Sequence, residues 1–353
     1  TISLSFNSNV QFGTIIFDDC LFTRNQAAED AYDGGGSGIW IDNYEADGNF
    51  YPTYLEIVNC EFTENSTPNS GGALAFGYAE GLLLTKLTVI GCTFLRNTCK
   101  YTEIDGVPHG GGAIWLITSN ECRIENCTFS ENKPLATSTS HGGAIFVSFA
   151  VEEVSLMITN CTFTHNSCPQ TTTDIGLGHS IYTDIIYGTL VLTECFFIDE
   201  GIDQPKQNSV LYIQSGLNMN NCSILFTDKS ESYSRGILIQ GYSQIYICNT
   251  IFTNCTDIEK KGASIYYLIQ MDNPDHTITL INNTLISNVV QSEAAELYLE
   301  LDFLPEISNC EVMLDDCQSS LFVADFTKGT FPYLDVLPID GFNFVNNSLN
   351  GNT

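Results

Sequence analysis

The sequence predicts an all-β chain coiled as a parallel β-helix. Three observations carry that expectation: a recurring cysteine phrase, a glycine phrase ahead of it, and strict alternation of apolar and polar residues between the two. The cysteine phrase reads Cys20-Leu-Phe22-Thr-Arg-Asn25, Cys60-Glu-Phe62-Thr-Glu-Asn65, Cys92-Thr-Phe94-Leu-Arg-Asn97, Cys127-Thr-Phe129-Ser-Glu-Asn132 and Cys161-Thr-Phe163-Thr-His-Asn166. Self-similarity at a period of tens of residues means stacked units, each of which buries its apolar face only against a neighbour.

Weaker forms of the phrase begin at Cys195, Cys222, Asn249, Asn283, Cys310 and Phe342. Their spacing is too irregular for a helical repeat and suits coils with corner loops of variable length. The glycine phrase reads Gly71-Gly-Ala-Leu74, Gly111-Gly-Ala-Ile114 and Gly142-Gly-Ala-Ile145, with looser forms at Gly36, Gly178 and Gly262. Glycine takes the positive φ of a tight corner, and a small residue after it fits a crowded interior. Segments such as Ser155-Leu-Met-Ile158 and Thr189-Leu-Val-Leu-Thr193 have the period of a half-buried strand. Each unit thus holds three short strands, and about ten to eleven coils stacked ~4.8 Å apart make a rod about 50 Å long. The whole chain, residues 1–353, reads as one such domain, alone, as part of a longer chain or in a stacked assembly.

Alternate strand residues face opposite sides, so each key cysteine and the aromatic two positions later point inward together. The expected interior column is Phe22, Phe62, Phe94, Phe129, Phe163 and Phe197, continued by Ile224, Ile251, Leu285, Val312 and Phe344. In two coils the key cysteine becomes Asn249 or Asn283, whose amides can hydrogen-bond along the axis.

With 12 basic against 42 acidic residues the formal charge is -30, which repels nucleic acid and anionic membranes and favours cations or basic partners. Fourteen cysteines beside many Asn, Ser and Thr residues point to an oxidising, extracellular or cell-surface location. Four pairs share a seven-residue spacing, Cys92/Cys99, Cys161/Cys168, Cys248/Cys255 and Cys310/Cys317, and could close disulfides across a turn. Axial bonds between stacked cysteines, such as Cys127 with Cys161, and reduced cysteines packed as small apolar groups are the rival readings. Sequons for N-linked glycans occur at Asn65, Asn126, Asn160, Asn221, Asn254, Asn282 and Asn346. Those at Asn126, Asn160, Asn221 and Asn282 adjoin the key position and should form one outward column.

Paired Gly-Gly-Ala-Ile/Leu and Phe-x-x-Asn motifs resemble the passenger repeats of chlamydial polymorphic membrane proteins, and more broadly the pectin-lyase-like β-helices. That resemblance implies a right-handed parallel β-helix and, for the polymorphic membrane proteins, surface display and adhesion. Many β-helices cleave acidic polysaccharides, so enzymatic chemistry is the competing class. A pectate-lyase-like site needs a basic Arg or Lys and a carboxylate cluster for calcium, but no cation recurs in an inward or groove column. Asp18-Asp19 and Asp315-Asp316 lie far apart, His179 sits in Gly-His-Ser, and His109 and His141 precede Gly-Gly segments without a nucleophile beside them. Asp42, Glu45, Asp47 and Asn49 form the one weak candidate loop for Ca²⁺, out of register for an EF-hand.

The sequence therefore predicts a non-enzymatic extracellular structural or adhesive glycoprotein without metal or cofactor. Its expected partners are copies of itself stacked head to tail into a filament, or a ligand on a host or cell surface. A polysaccharide-binding or polysaccharide-cleaving β-helix is the alternative.

Overall fold

A computed structural model describes residues 2–5, 13–27, 37–42, 53–76, 86–100, 109–118, 121–135, 140–149, 154–168, 177–184, 188–201, 208–227, 234–240, 244–257, 264–269, 277–281, 283–286, 289–290, 297–301, 311–315, 318–319, 322–325, 342–345 and 348–349. Among these every regular element is a strand, and every pairing is parallel. Three sheets of eleven strands each run the length of the molecule, with strands in the order in which the chain visits them. The glycine sheet runs from Ile2–Ser5 to Phe322–Asp325, the alternating sheet from Gly13–Asp18 to Phe342–Val345, and the cysteine sheet from Leu21–Thr23 to Ser348–Leu349. Each turn of the chain contributes one strand to each sheet, which is the parallel β-helix expected, in eleven coils.

Left-handed residues bracket the short cysteine strands on both sides in seven coils, and before Ser223–Leu225 on one side. Asp19, Asn59, Gly91, Asn126, Asn160, Glu194, Asn221 and Asn249 precede the key position, and Arg24, Glu64, Arg96, Glu131, His165, Asp199 and Asn254 follow the strand, all with positive φ. Asparagine tolerates that conformation better than other residues with a side chain, which explains its frequency before the cysteine. In-register stacking brings each turn over the next. The second column accordingly alternates in charge, and Glu64 accepts from both Arg24 at 2.8 Å and Arg96 at 2.9 Å.

The interior is built from side chains stacked rung on rung. Phe22, Phe62, Phe94, Phe129, Phe163 and Phe197 stack with centroids 4.7 to 4.9 Å apart. Isolated rings prefer offset or edge contacts, so the strand repeat imposes this spacing. Leu87 and Val89, Leu156 and Ile158, and Leu190 and Leu192 fill the alternating sheet's inner face, fully buried.

The register departs from the sequence reading in three places. Phe197 is followed by Ile224 and then Phe252, so Ile251 faces outward, 43% exposed. The key position of that coil is therefore buried Thr250, and Asn249 is the exposed left-handed residue before it. Val312 pairs with Ile278, and Phe344 with Leu314, which puts both in the alternating sheet rather than the aromatic column. Leu285 pairs in register with Phe252, and Asn283 is a buried key residue as expected.

Candidate functional site: the interior ladders and the outward turn column

The key cysteines form a ladder of thiols. The backbone N–H of Cys20, Cys60, Cys92 and Cys127 each donates to the sulfur of the next coil's cysteine at 3.3 Å. Each sulfur in turn donates to the carbonyl two residues back, as Cys60 does to Val58 at 3.1 Å and Cys127 to Glu125 at 3.1 Å. Thr250 makes the same bond through its hydroxyl to the Cys248 carbonyl at 2.9 Å, and its N–H donates to Asn283 Oδ1 at 2.9 Å. The position needs a small group that both donates and accepts; sulfur chemistry is incidental. Burial pushes the Cys60 thiol up to about 11, and Cys127, hydrogen-bonded to its neighbours' sulfurs, is raised further still. Cys60 and Cys127 are thereby unreactive, whereas hydrogen bonds from the Cys127 and Cys222 thiols pull Cys92 and Cys195 downward.

Among the described residues the predicted turn-closing disulfides Cys92/Cys99, Cys161/Cys168 and Cys248/Cys255 are not formed. Cys92, Cys161 and Cys248 carry free thiols, so they are not joined to Cys99, Cys168 and Cys255. Seven residues of separation carry the chain past the cysteine strand and its second left-handed turn. Cys99 therefore lies in a different strand, Thr98–Cys99, away from the key column. Cys255 follows the left-handed Asn254 and leads into the short strand Thr256–Asp257, with its side chain fully buried in the core. Cys248 instead ends the strand Gln244–Cys248 of the alternating sheet, on the far side of Ile251–Thr253, and is only half-buried. Cys168 is buried beyond His165 in the same way.

Cys310 and Cys317 lie outside the described residues, as do Asn282, Asn346 and the loop residues Glu45, Asp47 and Asn49; of Asp42 only the strand backbone is described. Among the described residues no group of three or more His, Cys, Asp or Glu side chains is arranged to hold a metal ion.

Five residues after the key position runs a second ladder, of asparagines. Oδ1 of Asn65 accepts from both the N–H and the Nδ2 of Asn25, at 3.1 and 2.8 Å. Asn97 receives Asn65 in the same way, Asn132 receives Asn97, and Asn166 receives Asn132, all at 2.9 to 3.1 Å. Each Nδ2 also donates to the phenylalanine carbonyl of the preceding coil, as Asn97 does to Phe62 at 2.9 Å. This removes Asn65 as a glycan acceptor in the folded chain, because its amide is fully buried and fully bonded. Asn254 is half-buried, its Nδ2 bonded to the Phe226 carbonyl at 2.6 Å. Asn126, Asn160 and Asn221 are exposed in the first left-handed column, where Asn160 Nδ2 donates to Asn126 Oδ1 at 2.8 Å.

The asparagine ladder stops at Glu200. Its Oε1 accepts from Asn166 N–H and Nδ2 at 3.3 and 3.2 Å, and its Oε2 lies 2.6 Å from Ser180 Oγ. The carboxyl is fully buried, which raises it to about 8. Beside it, His179 accepts from the Cys168 N–H through Nδ1, while its buried Nε2 has no hydrogen-bond partner. Burial pulls His179 down to about 3, and His141, stacked on Tyr182 at 4.4 Å, down to about 4.

The glycine phrase explains why this corner differs. In the coils before it, Gly72, Gly112 and Gly143 leave no room for a Cβ against the backbone of Thr98, Lys133 and Ser167. At the same place His179 brings a whole ring, and the opposing residue has become Gly201, on which any Cβ would overlap that ring. Ala144 becomes Ser180 in the same step, supplying the hydroxyl that Glu200 needs. Sequence reasoning missed Glu200 and Ser180. The signal was present, since Glu200 stands five residues after Cys195 where the phrase has Asn, and His179-Ser180 stands where it has Gly-Ala.

A family model described as "Right handed beta helix region" matches residues 2–182, just over half of the chain. The chain belongs to the right-handed β-helix family. Its coils accordingly wind right-handed, the hand that parallel crossovers overwhelmingly adopt. No curated protein and no solved structure matches it. Membership of the right-handed β-helix family assigns no activity by itself, so function must be argued from the side chains.

Proposed function

We propose that this right-handed β-helix is a non-catalytic display rod with a structural or adhesive role at an extracellular or cell surface. One observation supports it above the rest: the recurring residues are consumed inside, in the cysteine, phenylalanine and asparagine ladders, while the outward position of the cysteine strand changes from coil to coil. That position reads Leu21, Glu61, Thr93, Thr128, Thr162, Phe196, Ser223, Ile251 and Thr284. Uniform interior with variable exterior is the division of labour of a scaffold. The thiol ladder has no bearing on compartment, because sealed thiols persist in oxidising and reducing surroundings alike. The exposed Asn126, Asn160 and Asn221 turns carry the glycoprotein reading, and the charge of -30 favours basic or cationic partners over nucleic acid or anionic membranes. Further copies stacked head to tail, or a ligand on a facing cell surface, fit the rod's geometry.

Incubation with uronic-acid polymers and calcium tests the reading. Unchanged polymer is expected; shortened or unsaturated products would establish a polysaccharide-cleaving enzyme instead. Electron microscopy across a concentration series tests self-stacking, which discrete short rods at every concentration would rule out.

A further inference from the structure

We propose that the junction between Asn166 and Glu200 is a pH-sensitive seam in the rod, closed when the Glu200 carboxyl holds a proton and opened when it loses it. The geometry carries this. The amide ladder delivers two donors to one oxygen, Oε1, at 3.2 and 3.3 Å, lengths of neutral hydrogen bonds rather than of donors gathered around an anion. The other oxygen meets a single hydroxyl, Ser180 Oγ at 2.6 Å, which donates to an ionised Oε2 and turns to accept from a protonated one, so the neutral carboxyl keeps this bond. A buried carboxylate would need a cation or several more donors, and among the described residues neither is present.

The charged and titratable groups around the seam supply no compensation. Asp199, adjacent in sequence, is an acid whose own carboxylate is engaged by the N–H and hydroxyl of Thr227 at 2.7 and 2.9 Å. His179, on the corner packed over Gly201, accepts from Cys168 N–H through Nδ1 and is held neutral by burial. Cys168 lies beyond it as a buried thiol raised well above its usual range. His141 stacks on Tyr182 and accepts from Leu177 N–H, while Asp184, on the strand after Ser180, adds only negative charge. Arg235, one coil beyond Ser209, stacks over Tyr266 at 4.9 Å. Each ion pair among the described residues joins Arg24 or Arg96 to Glu64, or Arg123 to Glu121 or Glu125, on the outer surface.

Closed, the seam continues the axial bonding from coil to coil. Open, Asn166 loses its acceptor and the corner carrying His179 loses its inner prop at Ser180. The coils up to Asn166 and those from Glu200 onward then behave as separate cooperative segments.

Native-state hydrogen exchange on the whole chain between pH 6 and 7.5 reads the seam directly. Amides of residues 162–168 and 196–201 should open about tenfold more per pH unit, beyond the intrinsic exchange rate, because the open form releases one proton. Amides of the Phe62–Phe94 coils should show no such excess. In Glu200→Gln, whose amide keeps both an acceptor for Asn166 and a donor for Ser180, the excess slope should vanish. A wild-type seam with no slope beyond the intrinsic one overturns the proposal, as does a slope retained in Glu200→Gln. Should that variant not fold, the carboxyl resonance of Glu200 in the wild type decides. A midpoint below pH 6 refutes the seam, and a midpoint between 7 and 9 accompanied by the local exchange slope supports it.

Discussion

Single residues in this rod are chosen by what lies one coil away rather than by their sequence neighbours. Gly201 illustrates it, having positive φ and the His179 ring directly over its Cα hydrogen. Gly201→Ala should cost about 2–4 kcal/mol, combining overpacking with left-handed strain. Adding His179→Gly should recover the overpacking part and leave the strain. Urea midpoints of the two single variants and the double variant measure the coupling, and strict additivity would show that the two residues do not compete for space. Asn65 makes the complementary point: its Asn-Ser-Thr sequon is a surface motif in sequence and a core ladder residue in space.

At the scale of the element, the asparagine ladder joins separate corners into one unit. The Asn97 side chain receives two bonds from Asn65 at Oδ1 and gives one each to Asn132 and Phe62 through Nδ2. Asn97→Ala therefore leaves donors and an acceptor unpaired in a dry interior, at a cost of about 2–5 kcal/mol. Asn132→Ala should cost the same, while Asn126→Ala, at an exposed turn, should cost about 1 kcal/mol or less. Comparable losses at all three sites would mean that the ladder contributes nothing special. Much of this element was legible in the sequence, because the Cys-x-Phe-x-x-Asn phrase records a one-per-coil register and the register dictates the columns. It became ambiguous at Asn249-Thr-Ile-Phe252, where both the left-handed turn and the key position accept asparagine and both Ile251 and Phe252 can fill an apolar column. Only pairing with the neighbouring coil separates the two registers. The disulfide expectation went astray for a related reason: Cys248 and Cys255 keep the seven-residue spacing yet sit on either side of a strand, because spacing along the chain does not say which column a residue joins.

At the scale of the molecule, buried ionisable groups set a pH optimum. His179 and His141 have folded values of about 3 and 4, below the ordinary 6.5, so the unfolded chain binds more protons and stability rises with pH up to about 6.5. Glu200, at about 8 against an ordinary 4.5, works in the opposite sense, and its contribution falls as pH rises from 4.5 to 8. The two histidines outweigh it below 6.5; above that Glu200 acts alone and removes about 2 kcal/mol by pH 8. Thermal midpoints should peak near pH 6.5, and Glu200→Gln should flatten the alkaline limb while leaving the acid limb in place. A midpoint still climbing at pH 8 would contradict the assignment. The formal charge of -30 adds self-repulsion that salt screens, so the midpoint at pH 7 should rise between 10 and 300 mM sodium chloride. A flat or falling response would mean that the acidic residues are too far apart to repel.

The asparagine ladder also gives the interior a direction. From Asn25 to Asn166 every amide-to-amide bond passes from the Nδ2 of one coil to the Oδ1 of the coil after, so these bonds all run one way along the axis. A column of this kind finishes on a group that takes hydrogen bonds from the amide before it, which is the place Glu200 fills. The strands of all three sheets are parallel as well, although their backbone bonds cross both ways, Glu61 N–H to the Cys20 carbonyl and Asn59 N–H to the Ile90 carbonyl. Polarity of this kind makes the rod an arrow: a second copy that extends its sheets with matched hydrogen bonds must bring its leading coil to this molecule's trailing coil, in a heterologous contact that repeats rather than closes.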